Sequence, residues 1–70
     1  MGFSTTPITV AEARQAVKKG GVVIEASKLE YFDSAVKWLD DATSAEIKDG
    51  GGEIIITLSN TDFVVFRLSN

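Results

Sequence analysis

Residues 53–68, EIIITLSNTDFVVFRL, hold two six-residue runs of β-branched and aromatic residues on either side of Ser59-Asn60-Thr61-Asp62. Such runs favour a pleated, half-buried surface, and the polar quartet between them supplies turn chemistry, so the segment predicts an antiparallel hairpin. Side chains alternate along a strand, and the number of turn residues therefore decides which sets share a face. An odd turn places Ile54, Ile56 and Leu58 with Val64, Phe66 and Leu68, and leaves Ile55, Thr57, Phe63, Val65 and Arg67 on the other side. An even turn mixes the sets and leaves no polar face at all, so the odd register is expected. The second face is still too apolar to be simply solvated, and helix one or a partner is expected to cover part of it.

Upstream, Thr9-Val10-Ala11-Glu12 has the spacing of a capping box and predicts a helix start. Val10, Ala13 and Val17 follow at helical spacing, Lys18 and Lys19 complement the C-terminal dipole, and Gly20-Gly21 ends the element. Val22-Val23-Ile24 reads as a short strand. Ser27-Lys28-Leu29-Glu30 repeats the capping-box spacing and predicts a second, central helix. On it, Leu29, Phe32, Val36 and Leu39 form the stripe expected to face the core, and Tyr31, Ala35, Trp38, Ala42 and Ala45 form a second stripe beside it. Residues 43–49 either extend that helix or add a short turn before Gly50-Gly51-Gly52 breaks it. The expected fold is a small single α+β domain over residues 9–70, in the order α-β-α-β-β, with the C-terminal antiparallel hairpin packed against the central helix. Residues 1–8 are expected to be a flexible start.

At 70 residues the chain buries only about 60% of the surface its unfolded form exposes. It holds no Cys and no His, which removes disulfides and makes a structural zinc site a poor expectation. No apolar run approaches the roughly 18 residues of a spanning helix, and the N-terminus lacks the order of a secretory signal, so a cytoplasmic protein is expected. Met1-Gly2-Phe3-Ser4-Thr5-Thr6 matches the loose myristoylation pattern, but no basic cluster follows to supply a second membrane signal, and no membrane partner is expected.

The same absence of His and Cys removes the commonest general base, the thiolate nucleophile and the usual transition-metal ligands. Asp40 and Asp41 are adjacent on the expected helix and diverge by about 100°. Asp33 and Lys37 make an i, i+4 pair that suits a helix surface. The glycine run at 50–52 is flanked by Asp49 and Glu53 and lacks the Gly-Lys-Ser/Thr of a phosphate loop. The expectation is therefore a protein that is not an enzyme, with no cofactor and no metal.

The net charge of −3 is unevenly spread. Residues 1–29 carry four basic against two acidic residues, whereas residues 30–53 carry seven acidic against two basic. The central segment thus presents a field that repels phosphate and attracts a basic partner.

The order helix, strand, helix, strand, strand resembles a winged-helix domain. The resemblance implies a first helix over residues 9–19, a strand over 22–24, a helix-turn-helix pair within 27–49 and a winged hairpin over 53–68, with a nucleic-acid-binding or regulatory role. A recognition helix uses Lys, Arg, Asn or Gln against phosphates and base edges, and Asp33, Asp40, Asp41 and Glu46 oppose that use.

The first functional expectation is accordingly a small acidic protein-binding module, an inhibitor or adaptor that occupies a partner protein's basic surface. The candidate partner-binding residues are the aromatics Tyr31 and Trp38 with the acids Asp33, Asp40, Asp41 and Glu46 around them, since aromatic anchors in a charged rim are a common interface composition; the alternative for Tyr31 and Trp38 is packing within the chain, under the hairpin or against helix one. In size and charge the chain resembles inhibitors and adaptors that phages and other mobile elements encode against host machinery, anti-CRISPR proteins among them. A self-assembling subunit is the further alternative, with a homodimer formed through the C-terminal strand as an exposed edge or through the outer sheet face.

Overall fold

The structure, a computed structural model, describes residues 4–32 and 35–68, and of Ala35 and Val36 the backbone alone. It is a mixed α/β fold of one helix and a five-strand antiparallel sheet. The strands are β1 (Thr5–Ile8), β2 (Gly21–Ala26), β3 (Ala42–Lys48), β4 (Glu53–Leu58) and β5 (Phe63–Leu68), and helix α1 (Val10–Gly20) joins β1 to β2. Across the sheet the order is β1-β3-β4-β5-β2, so β3, β4 and β5 form a meander and the first two strands become its edges.

Helix α1 starts as its capping box requires. The Glu12 N–H donates to Thr9 Oγ1 and the Thr9 N–H donates to Glu12 Oε1, both at 3.0 Å. The helix ends at Gly21, where a Cβ would meet the Val17 Cα at 2.9 Å, so only glycine lets β2 leave so close to the last turn. Ala13 and Val17 bury against the sheet.

The β4–β5 hairpin has the odd register. Ile54 opposes Phe66 and Ile56 opposes Val64, and Leu58, Ile54, Ile56, Val64 and Phe66 are all buried on one face. Thr61 sits in the turn at φ 70°, a left-handed conformation that a β-branched residue rarely adopts.

Four expectations are corrected by these elements. The central segment is not one α-helix: its described residues, 29–32 and 35–41, form a 3-10 turn at Leu29–Phe32, a single α turn at Ala35–Trp38 and a 3-10 turn at Leu39–Asp41. Ser27 does not cap it, because its hydroxyl accepts the Phe63 N–H at 3.0 Å and donates to the Phe63 carbonyl at 3.3 Å, stitching the end of β2 to the start of β5. Residues 42–48 are strand rather than helix, with Ala45 and Ile47 turned to the core and Ser44, Glu46 and Lys48 turned away, which rules out a helix-turn-helix pair over 27–49. Thr5–Ile8 is an edge strand where a flexible start was expected; Met1, Gly2 and Phe3, and with them the myristoylation motif, lie outside the described residues.

The two edges are both interrupted. The Asp49 N–H donates to the Ser4 carbonyl at 2.9 Å, and antiparallel alternation from there aims the backbone of Thr6 and Ile8 at β3 and that of Thr5 and Pro7 outward. Pro7 therefore withholds an N–H from the open edge. On β2 the register shifts between Val23 and Glu25, leaving Ile24 without an opposite residue. The last strand, β5, lies between β4 and β2 and is not an edge, so a dimer through the C-terminal strand is excluded by the pairing.

Candidate functional site

Tyr31 and Trp38, which the sequence leaves as either interface anchors or a second packing contact, both touch the core. Tyr31 is buried, and Trp38 is half-buried and packs on the same core. Their rings meet edge-on, with centroids 4.8 Å apart and planes at 64°, a favoured aromatic arrangement. The Tyr31 hydroxyl donates to Asp62 Oδ2 at 2.8 Å, and the same oxygen accepts from Asn60 Nδ2 at 2.8 Å and lies 3.2 Å from Lys28 Nζ. These donors hold the Asp62 carboxyl below its ordinary range, the Tyr31 bond contributing most. Reciprocally, the bond to Asp62 pushes the Tyr31 hydroxyl and the Lys28 ammonium up.

What takes the place of Tyr31 at the surface is the opposite pair. Leu29 is 85% exposed and Phe32 44% exposed, although both were assigned to the core stripe; Leu39 alone of that stripe is shown buried, and the Val36 side chain lies outside the described residues. A 3-10 helix has about three residues per turn, so side chains at i and i+3 eclipse. Leu29 and Phe32 thus stand together on one side of a single turn, with Glu30 and Tyr31 between them in sequence. The turn packs beside edge strand β2. The stripe assignment missed them because the three-and-four spacing of Leu29, Phe32 and Leu39 presumes one uninterrupted α-helix.

The acidic candidates are not brought together. Asp40 is exposed on the helical side of the sheet, where Arg14 of α1 reaches it at 3.4 Å and also donates to the Leu39 carbonyl at 3.1 Å. Asp41 is exposed, and its carbonyl accepts the Ser59 N–H at 2.9 Å. Glu46 lies on the opposite sheet face, accepting from Thr5 Oγ1 at 3.0 Å. Asp33 lies outside the described residues.

That opposite face carries no second layer among the described residues, since α1 and the helical turns all pack on the other side. Cross-strand pairing arranges it in rows. One row reads Thr5, Lys48, Glu53, Arg67, Val22, and the next reads Pro7, Glu46, Ile55, Val65, Glu25. Lys48 Nζ and Glu53 Oε1 are 3.5 Å apart. Ile55 and Val65 form an apolar centre with an acid at either end.

No protein-family model, no curated protein and no solved structure matches the chain. Among the described residues no group of three or more His, Cys, Asp or Glu converges as a metal site would require, and no helix is long and apolar enough to cross a membrane.

Proposed function

We propose that this chain is a small acidic, non-enzymatic protein-binding module that acts as an inhibitor or adaptor by occupying a partner's surface, with Leu29 and Phe32 as its anchors. One observation carries the reading: Leu29, largely exposed, and Phe32, almost half exposed, stand on one side of a one-turn helix whose inward contact, Tyr31, already fills the core. A chain this small gains stability from every apolar side chain it buries, so leaving a Leu and a Phe outside is a cost that a partner's pocket would offset.

Glu30 in the same turn and the net charge of −3 favour a partner with a basic surface. Size and acidity fit an inhibitor of the kind phages direct against host machinery such as CRISPR defence, working in the cytoplasm. Nucleic acid is a weaker reading. Arg14 is already engaged by Asp40 and the Leu39 carbonyl, which leaves Lys18 and Lys19 on α1 as a small basic end against an acidic whole.

Photo-cross-linking tests the proposal. A benzophenone side chain placed at position 32 is expected to label one protein in the producing cell, and the same group at exposed Thr43 on β3 is expected to leave it unlabelled. Equal labelling from both positions, or none from position 32, overturns the assignment of the anchors.

A further inference from the structure

The uncovered sheet face supports a second inference, independent of the Leu29–Phe32 turn. We infer that this face is a docking surface for a protein segment that presents a Lys or Arg side chain flanked by apolar residues. A shallow hollow of about 160 Å³ opens on it, lined by Thr5, Glu25, Lys48, Glu53, Ile55 and Val65. Its floor, half-buried Ile55 beside the nearly covered Val65, suits the aliphatic stem of a long cationic side chain, which covers apolar surface while its head stays near charge.

The acids decide where the head goes. Glu53 already has Lys48 at 3.5 Å and has Arg67 as its cross-strand partner on the other side. Glu25 is exposed at the end of the Ile55–Val65 row, which itself holds no cation, and shares the hollow with Lys48. A cation lying along the row from Ile55 over Val65 therefore ends at Glu25. The charge pattern also selects between occupants. A second copy seated face to face, with its two-fold axis along the strands, sets Glu46 against Glu25; with the axis along the row, each acid meets itself. Like charges placed opposite one another oppose that assembly, whereas a cationic segment is complemented.

The test uses the intact chain labelled with ¹⁵N, titrated with acetyl-Val-Arg-Val-amide and with the same peptide carrying citrulline, which keeps the shape of arginine without its charge. The arginine peptide is expected to shift the amide signals of Glu25, Ile55 and Val65 saturably, and the citrulline peptide is expected to leave them in place. Glu25→Gln should weaken binding by about twofold to fivefold, the range of an exposed ion pair. A Leu29→Ser/Phe32→Ser variant should bind the peptide as the parent does, which separates this surface from the anchors. No shift on β4 and β5, equal shifts from both peptides, or a dimer in sedimentation that Glu25→Lys dissociates would each overturn the inference.

Discussion

The Tyr31 hydroxyl donates to Asp62 Oδ2 at 2.8 Å, tying the 3-10 turn that follows β2 to the loop between β4 and β5 across 31 residues of sequence. The bond has a consequence for acid stability. Asp62 is held below its ordinary carboxyl range in the folded chain, first by Tyr31 and then by Lys28 and Asn60. A depressed native pKa contributes stability that is fully present above about pH 4 and is lost as pH falls through the lower native value. Urea midpoints measured from pH 7 down to pH 2 should therefore decline, and Asp62→Asn should flatten the decline without abolishing it. Glu12, lowered first by the Thr9 backbone N–H, acts in the same direction. At high pH the sign reverses. The raised pKa values of Tyr31 and Lys28 contribute stability below about pH 10 that is lost as pH climbs through them.

The inward and outward assignment of the apolar residues predicts a contrast in stability. Phe66 is 1% exposed at the centre of the sheet, and Phe66→Ala should cost about 3–5 kcal/mol. Leu29→Ser should stay within about 0.5 kcal/mol of the parent, as surface changes do, and Phe32→Ser, whose ring is partly covered, should fall between the two. Chemical denaturation monitored by circular dichroism separates the two cases, and a loss for Leu29→Ser comparable with that for Phe66→Ala would place Leu29 in the core after all.

Thr61 is the non-glycine residue with positive φ among those described. A left-handed conformation costs an ordinary L-residue roughly 1–2 kcal/mol. Part of that should return in Thr61→Gly or Thr61→Asn, seen as a higher urea midpoint with an unchanged slope. A fall in the midpoint would show that the Thr61 hydroxyl, which donates to the Asn60 carbonyl, outweighs the strain.

Pro7 guards the β1 edge, because its nitrogen faces outward and cannot donate. Pro7→Thr restores that donor on a strand already flanked by Thr5, Thr6 and Ile8. Sedimentation velocity should show concentration-dependent association in the variant beyond that of the parent, and identical profiles would mean that the edge is protected by something other than proline.

Local signals in the sequence were legible where a single element satisfies its own residues. The Thr9–Glu12 capping box forms as spaced, α1 stops at the glycine pair, and the odd hairpin register follows from the need to keep one face apolar. Ser27–Glu30 has the same spacing as Thr9–Glu12 and a different outcome, since Ser27 is taken by Phe63 from 36 residues away. Nothing in a local window reveals such a competitor. Residues 42–48 carry a clean alternation, but Ala, Glu and Lys are good helix formers, and their propensity masked the period. Pro7 made residues 5–8 look unlike a strand, although an edge is where a strand tolerates proline. At the candidate site the two stripes expected on the central segment do not form, since Ala42 and Ala45 of the second lie on β3, and Leu39 of the first is buried while Leu29 and Phe32 are exposed. Leu29 and Phe32 are misplaced by that reading and Tyr31 is left open between core and interface, because the phase of a stripe can be read only when the helix is continuous.

Leu29 and Phe32 are available to a partner, whereas Tyr31 is buried. The most direct measurement is calorimetric titration of the cross-linked partner, once purified, with the parent chain and with Leu29→Ser/Phe32→Ser, each shown to be folded by its near-ultraviolet circular dichroism. Interface anchors are worth on the order of 1–2 kcal/mol or more each, so Kd should rise at least about tenfold in the double variant. A Kd within about twofold of the parent, with the fold intact, would contradict it.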